Sequence, residues 1–502
     1  MTEPRKMESR SLESRKAAQR PGEARTSLVV MKFGGTSVED AKAMRRTTAI
    51  VRGRRERGLS PVVVVSAMAK VTDQLLAAGA AAGRGDKVGA LAIAARLRNR
   101  HLETAADLLC GERSAEIDKL IRHEFDSLDD LLRGIAAVGE LTPRTSDNVV
   151  SFGERLSSQM VAAAFAQDGE DGQDGLNGIQ VDARTCIVTD DHYGKAAPQE
   201  AAIEAALTKL VLPLVEAGHT PVMGGFIGAT AEGITTTLGR GGSDFTAALV
   251  GGGLRAGAIE IWTDVNGIMT TDPRICPDAL RVKTISFEEA AELAYFGAKV
   301  LHPATILPAV QRSIPVWVLN SRNPENEGTK ITAMAPPCAS PFKSIAAKKR
   351  LTIIDVVASR MLMTHGYLKA VFDVFDRYHC AIDMVSTSEV SISLSVDANE
   401  RLPEICAELG KIADVKLEGH KALICMVGED IRGRSGISAR VFSAIRHVNV
   451  RMISQGASEI NMSFMIEESD VEEAIRSLHA EFFADPDPTV FDTEARSLAA
   501  RT

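Results

Sequence analysis

Leu28-Val29-Val30-Met31-Lys32-Phe33-Gly34-Gly35-Thr36-Ser37 is an apolar run of strand length that ends in a lysine, two glycines and two hydroxyl residues. Thr36 and Glu39 have the capping-box spacing, which predicts that a helix starts there. Paired glycines at a strand-to-helix turn let a phosphate approach the backbone, and a helix N-terminus offers unpaired N–H donors to an anion. Lys32 adds a mobile positive charge at the mouth of the turn. The stretch therefore reads either as a cradle for a nucleotide's terminal phosphates or as a βα corner with a solvated lysine. The GxxxxGK[ST] spacing of a Walker A loop is absent throughout the chain.

Outward from this stretch, the 502 residues suggest about three domains. The balance of 45% hydrophobic and 25% charged residues is that of a soluble globular protein. The net charge of −8 gives no basic footprint for nucleic acid. No apolar run approaches the roughly 20 residues that span a bilayer. Seven scattered cysteines without CxxC spacing read as reduced thiols, hence a cytoplasmic protein. Residues 1–26 interleave basic and acidic side chains without the apolar core of a secretory signal, and are expected to form a disordered tail.

From 28 to about 257 the pattern alternates β and α, which predicts an α/β fold with an open, mostly parallel sheet flanked by helices. A helix is expected over 41–57, stopped by Gly58, then a strand at 61–65 whose β-branched run suits burial on both faces. Residues 73–139 read as helical, as do 150–166, where Gly153 would initiate the helix, and 201–216. Strands are expected near Ile179, at 221–226, 258–265 and 315–319, and helices at 245–254 and 286–296. Turn-rich residues 323–341 read as a linker. Beyond it, two βαββα units recur at a period of about 75 residues, each with its first helix opening after a glycine, Gly366 or Gly436. The polar clusters fall at the carboxyl ends of the predicted strands, where ligands gather in open α/β sheets.

Arg240, between glycines in Gly239-Arg240-Gly241-Gly242-Ser243-Asp244, can present a planar fork to a carboxylate or phosphate, or sit on a surface turn. Asp244 either favours the helix dipole or orients Lys32 or a substrate. Glu154 is either a solvated first-turn acid or a partner for an amino group. Thr263 and Asp264 either hold a base or ribose or only close a turn. Lys299 alone reads as a solvated lysine. If the phosphoryl acceptor is a carboxylate, it is already ionised at neutral pH and needs no general base. The obstacle is then bringing two anions together, and catalysis comes from positioning and electrostatic screening by Lys32, N–H-rich turns and Mg²⁺.

These residues resemble those of the monofunctional aspartate kinases (aspartokinases) of the amino-acid kinase superfamily. Lys32-Phe33-Gly34-Gly35-Thr36-Ser37-Val38 is similar to that family's opening signature, and Ser151-Phe152-Gly153-Glu154-Arg155-Leu156-Ser157-Ser158 to its substrate-contact helix. The stretches 238–246, 262–274 and 296–303 match in order and spacing, and the two C-terminal units look like tandem ACT modules of ferredoxin-like βαββα form. The resemblance implies a catalytic domain over 27–322, a linker over 323–341, and ACT-like modules over 342–416 and 417–495. It implies ATP-dependent phosphorylation of the L-aspartate side-chain carboxylate with Mg²⁺, the first step toward lysine, threonine and methionine.

By residue-wise match, Lys32 would stabilise the transferring phosphoryl group and Asp244 would organise it. Arg240 would clamp the substrate α-carboxylate, with Ser66, Thr72, Glu154, Gly241, Gly242 and Ser243 completing that pocket. Phe33, Gly34, Gly35, Thr263, Asp264, Arg274, Lys299 and Val300 would line the nucleotide site. Met269 stands where the family often has a tyrosine, and is carried only as a lining residue. In the first ACT unit, Met361, Thr364, Tyr367, Asp383 and Thr387-Ser388-Glu389-Val390-Ser391 match the effector contacts of lysine-inhibited members, so L-lysine is the expected effector. The family also implies ACT-mediated homodimers or higher homo-oligomers, and one strand of an ACT module supplied from near 344–347. No metal ligands are assigned, and no homoserine dehydrogenase is expected after Thr502. Two rivals stand beside this reading: another acyl-phosphate-forming amino-acid kinase, and a catalytically silent amino-acid sensor.

Overall fold

The structure, a computed structural model, describes residues 25–168, 175–296, 303–357, 366–388 and 390–493. β1 (Arg25–Phe33) leads through a 3-10 turn at Gly35–Ser37 into α1 (Ala41–Glu56) and β2 (Ser60–Val65). A helical stretch follows: α2 (Val71–Gly83), α3 (Lys87–Leu108), α4 (Gly111–Val138) and α5 (Pro143–Gln167). The chain continues through β3 (Gly178–Gln180), α6 (Glu200–Leu210), α7 (Leu212–Glu216), β4 (Thr220–Gly224) and the hairpin of β5 (Ile227–Ala229) and β6 (Thr235–Thr237). Then come α8 (Gly242–Leu254), β7 (Ala256–Thr263), β8 (Thr284–Ser286), α9 (Phe287–Tyr295), α10 (Leu307–Gln311), β9 (Val316–Asn320) and β10 (Thr329–Thr332).

These strands form an eight-stranded sheet in the order β3-β4-β2-β1-β7-β9-β10-β8. Every pairing is parallel except β9 with β10. The apolar runs explain the central place of β1 and β2. Leu28, Val30, Val62 and Val64 enter one hydrophobic core, while Val29, Met31, Phe33, Val63 and Val65 enter the other. Period-two side chains that are apolar on both faces need helices above and below. From β1 the chain moves first to β2 on one side and later to β7 on the other. The strand order thus reverses at β1, the crevice where open α/β sheets take their ligands.

Three sequence expectations are corrected here. The helix expected at Thr36 begins at Ala41, where the Asp40 side chain accepts from Ala43 N at 2.7 Å. Glu39 does not close a box on Thr36: its carboxylate accepts from Arg322 at 3.2 Å instead, and Val38 leaves the helical region at φ −131°. Gly153 does not initiate a helix: α5 starts ten residues earlier, capped by Thr142. Gly153 is there for proximity, since a Cβ on it would lie 2.8 Å from that of Ala67. Within the supposed linker, residues 329–332 form β10 and join the sheet.

The remainder gives β11 (Phe342–Val357), α11 (Tyr367–Arg377), β12 (Ile382–Thr387), β13 (Ser391–Asp397) and α12 (Leu402–Leu409). It repeats as β14 (Asp414–Gly428), α13 (Ile437–Ala444), β15 (Met452–Gln455), β16 (Asn461–Glu467) and α14 (Val471–Phe482). Both βαββα units lie in one six-stranded sheet, β12-β13-β11-β14-β16-β15. Residues 351–357 of β11 pair with β13, and residues 421–427 of β14 pair with β16. The opposite halves cross over: residues 342–348 pair with 423–428, and 414–418 pair with 353–357. A boundary at 416/417 therefore cuts a continuous strand, and each unit takes half a strand from the other. The first unit has its own core around Ile354, Val371, Phe375 and Leu394. Phe464, Phe483 and Phe491 of the second share a core with the large sheet. No helix among the described residues is long and apolar enough to cross a membrane.

Candidate active site

Lys32 is the penultimate residue of β1, with only 9% of its surface exposed. Its Nζ lies 2.7 Å from Oδ1 of Asp244, in the first turn of α8. That helix begins where Gly241 takes φ +73°, a left-handed conformation that glycine adopts without strain. Around this ion pair the strand ends are stitched together. Ser66 N donates to Phe33 O at 3.0 Å, Gly225 N to Val65 O at 2.8 Å, and Gly34 N to Trp262 O at 3.0 Å. The glycines allow close approach: a Cβ on Gly225 would lie 2.6 Å from the Ser243 Cβ, and one on Gly35 3.0 Å from Ala67 O.

Glu154 is buried on α5 against Gly224, and its Oε1 accepts from Ala67 N at 3.2 Å. Its Oε2 is buried with no hydrogen-bond partner. Burial pushes this carboxyl up from 4.5 to about 8, against the opposing pull of the Ala67 N–H. It is therefore not the solvated acid its position in the sequence also allowed, but a buried carboxyl with one oxygen left without a partner. Thr72 is half-buried in the first turn of α2. Arg240 is exposed and joins none of the ion pairs among the described residues. Free of an internal partner, its guanidinium is available to an anion.

At the end of β7, Thr263 Oγ1 donates to Asp264 Oδ1 at 3.3 Å, and Thr263 O accepts from Ser321 N at 2.8 Å. Ser321 Oγ in turn accepts from Ser37 Oγ at 2.7 Å, so the strand ends of β7 and β9 are tied to the glycine turn. Met269 and Arg274 lie further along the same loop. Arg274 is exposed and held by Asp272 at 2.7 Å, and Met269 O accepts from Ser344 Oγ at 2.7 Å. Among the described residues, no hydrogen bond or ion pair ties either residue to the Lys32 cluster. Lys299 and Val300 lie outside the described residues, as do Met361, Thr364 and Glu389.

In the C-terminal half, both Asp383 oxygens accept from Lys348 Nζ at 2.8 Å, and burial pushes the Asp383 carboxyl upward while Lys348 opposes it. Tyr367 opens α11 with its hydroxyl buried and unpartnered. Ser388 and Ser391 close the strand-edge turn through their hydroxyls at 2.7 Å. Sequence reasoning missed Asp147, which is 3% exposed and accepts from three donors on distant segments. Its only sequence signal is an acid seven residues before Glu154, on the same helical face.

The chain matches the amino acid kinase family over residues 27–320 and the ACT domain over 424–482. It is 38% identical to the chloroplastic aspartokinase 3 of Arabidopsis thaliana, over 90% of this chain and 81% of that protein. It is 35% identical to the lysine-sensitive aspartokinase 3 of Escherichia coli, over 91% of this chain and all of that protein. The crystal structure of E. coli aspartokinase III with aspartate and ADP, in the R-state, superposes with a TM-score of 0.78 at 34% identity, covering 91% of this chain and 100% of that one. The T-state structure of the same protein with lysine and aspartate gives 0.76 at the same coverage.

Proposed function

The chain belongs to the amino acid kinase family, its activity is that of an aspartate kinase, and we propose that Lys32, Asp244, Arg240 and Glu154 divide the work of that reaction. The observation that carries this reading is the buried Lys32–Asp244 pair at the point where the strand order reverses, beside an unpaired buried Glu154. L-Aspartate offers an ammonium, which fits the orphaned Glu154 Oε2, and an α-carboxylate, which fits the unpaired Arg240 fork. Its β-carboxylate is then the nucleophile. One carboxylate oxygen bonds to the γ-phosphorus of ATP while the bond to the β–γ bridging oxygen breaks, and that electron pair leaves on ADP. The products are 4-phospho-L-aspartate and ADP.

No proton need be removed, because the carboxylate is ionised at neutral pH. Lys32 instead offsets the charge of two anions brought together, from a low-exposure position where screening by water is weak. The turn that follows Gly34, whose own N–H is taken by Trp262 O, would add the fixed partial charge of its later N–H groups. Thr263, Asp264, Phe33 and Met269 would line the nucleotide, with Arg274, Lys299 and Val300 as further candidates. Ser66, Thr72 and Gly241–Ser243 would complete the aspartate pocket.

Among the described residues no three His, Cys, Asp or Glu side chains come together as a metal cage. Mg²⁺ would come in on the nucleotide phosphates and water, with one or two carboxylates of the chain. Asp244, whose side chain keeps 16% of its surface exposed in the first turn of α8, is the carboxylate that would meet it. Bound there, Mg²⁺ would supply charge neutralisation on the phosphates.

L-Lysine is the proposed feedback ligand, taken by the first ACT unit around Asp383 and Tyr367. The repeated units would also pair two or more copies of the chain. The free thiols of Cys110, Cys186, Cys338, Cys380, Cys406 and Cys425 fit the reducing cytoplasm. An ATP-coupled hydroxamate assay with aspartate against N-acetylglutamate, with and without lysine and threonine, tests the whole reading. Aspartate-dependent hydroxamate that lysine suppresses is the expected result. Turnover with N-acetylglutamate alone, or lysine binding without turnover, would replace it with one of its rivals.

A further inference from the structure

We propose that Asp147 is a positioning residue for aspartate: it clasps the segment that carries Arg240 to the helix that carries Glu154. Asp147 Oδ2 accepts from Thr237 N and from Gly194 N, both at 2.9 Å, and Oδ1 accepts from Thr237 Oγ1 at 2.7 Å. Thr237 ends β6, and Arg240 follows three residues later. Between them Leu238 N donates to Phe226 O at 2.9 Å and Gly239 turns with φ +78°. A Cβ on Gly239 would stand 3.3 Å from Gly194 O, so the two segments that Asp147 holds also pack directly on each other. Ala196 N donates to Thr237 O at 2.8 Å and completes the knot.

Asp147 and Glu154 are seven residues apart on α5, two turns and one face. A single helix thus fixes both ends of the proposed substrate: Glu154 directly, for the ammonium, and Arg240 through Asp147, for the α-carboxylate. A buried carboxylate that accepts three hydrogen bonds from segments 47 and 90 residues away is costly to place and rigid once satisfied. Arg240 itself has no ion pair to hold it, so its aim depends on the backbone below it.

The inference rests on the aspartate kinase reading, and the experiment separates the two. Wild-type enzyme, Asp147→Ala, Asp147→Asn and Thr237→Val are compared for KM toward aspartate, KM toward ATP, and kcat. Asparagine can keep all three contacts, with its oxygen toward the two N–H groups and its amide toward a reoriented threonine hydroxyl. Asp147→Ala is expected to raise KM for aspartate tenfold or more while KM for ATP stays within twofold. Thr237→Val should raise KM for aspartate by a smaller factor, and Asp147→Asn should restore it to within about threefold of wild type. An unchanged KM for aspartate in Asp147→Ala, or equal rises in both KM values, overturns the inference. Inactive wild-type enzyme would instead overturn the proposed function. Thr237→Val keeps the test decisive if the alanine variant does not fold.

Discussion

Lys32→Ala removes the one cationic side chain placed at the end of β1, and leaves Asp244 with an unopposed charge. Loss of a preorganised electrostatic contact of this kind costs about 10²–10³ in kcat. Turnover of folded Lys32→Ala enzyme should fall at least that far, with unchanged circular dichroism; full activity would remove Lys32 from the mechanism. Glu154 makes a second, pH-dependent prediction. Its folded pKa of about 8 exceeds the unfolded 4.5, so the ligand-free protein binds more protons than the unfolded chain between those values. Stability must therefore decline as pH rises from about 4.5 to about 8, by an amount on the order of a few kcal/mol. Glu154→Gln should flatten that decline in denaturant melts while raising KM for aspartate. A Gln variant with the wild-type slope would mean that Glu154 is not held protonated. Lys32, Glu154, Arg240 and Asp244 were all legible as candidates, because each sits in a short motif of glycines and hydroxyls. The orphaned Oε2 was not, because Ala67 and Gly224, which bury it, are far away in sequence. Asp147 was hidden for the same reason.

At the scale of the elements, strand positions were legible where β-branched runs are continuous, as in 61–65, because such runs bury both faces whatever surrounds them. Helix starts were less so. The box spacing at Thr36 lost to Arg322, which arrives from a remote segment and engages the Glu39 carboxylate. The helices α2 to α4 offer a test of their own. His101 on α3 is fully buried, edge-on to Phe125 of α4 with ring centroids 5.4 Å apart, and its Nδ1 is 2.7 Å from Leu97 O. Burial lowers its pKa from 6.5 to about 4. The unfolded chain thus binds the extra proton first, and the stability present above pH 6.5 is lost as pH falls toward 4, by about 3 kcal/mol. His101→Leu should lack this component, so its stability should change less than the wild type's between pH 6.5 and 4. Equal slopes in urea titrations at the two pH values would show that α3 and α4 open without charging His101.

Across the whole molecule, β11 is the element that spans both functions. Its middle, at Lys348, grips Asp383 of the proposed lysine site, and the Asp383 charge adds to burial in pushing up the hydroxyl of Tyr295 on α9. Its N-terminal end enters the catalytic half: Lys343 forms a fully buried pair with Glu289 at 2.9 Å, Ser344 Oγ donates to Met269 O, and Ile345 N donates to Thr270 O at 2.7 Å. Ser344 and Lys348 are four residues apart, about 14 Å of strand. The repeat of βαββα units was legible, but this bridge was not, because it depends on β11 and β14 being long enough to serve both units. Since the first unit keeps a separate core, effector binding there can reach the loop after β7 through few contacts. Coupling between sites is typically 5–150-fold in affinity, and a lost contact in the path takes part of it away. Ser344→Ala removes the grip on Met269 while leaving Lys343–Glu289 and the backbone bond of Ile345 in place. Its kcat without effector should stay within twofold of wild type, and the lysine concentration for half-inhibition should rise about threefold or more. Asp383→Ala serves as the reference in which the lysine site itself is damaged. If Asp383→Ala loses inhibition and Ser344→Ala keeps all of it, the signal does not travel along β11, and the electrostatic influence of Asp383 on Tyr295 becomes the route to α9.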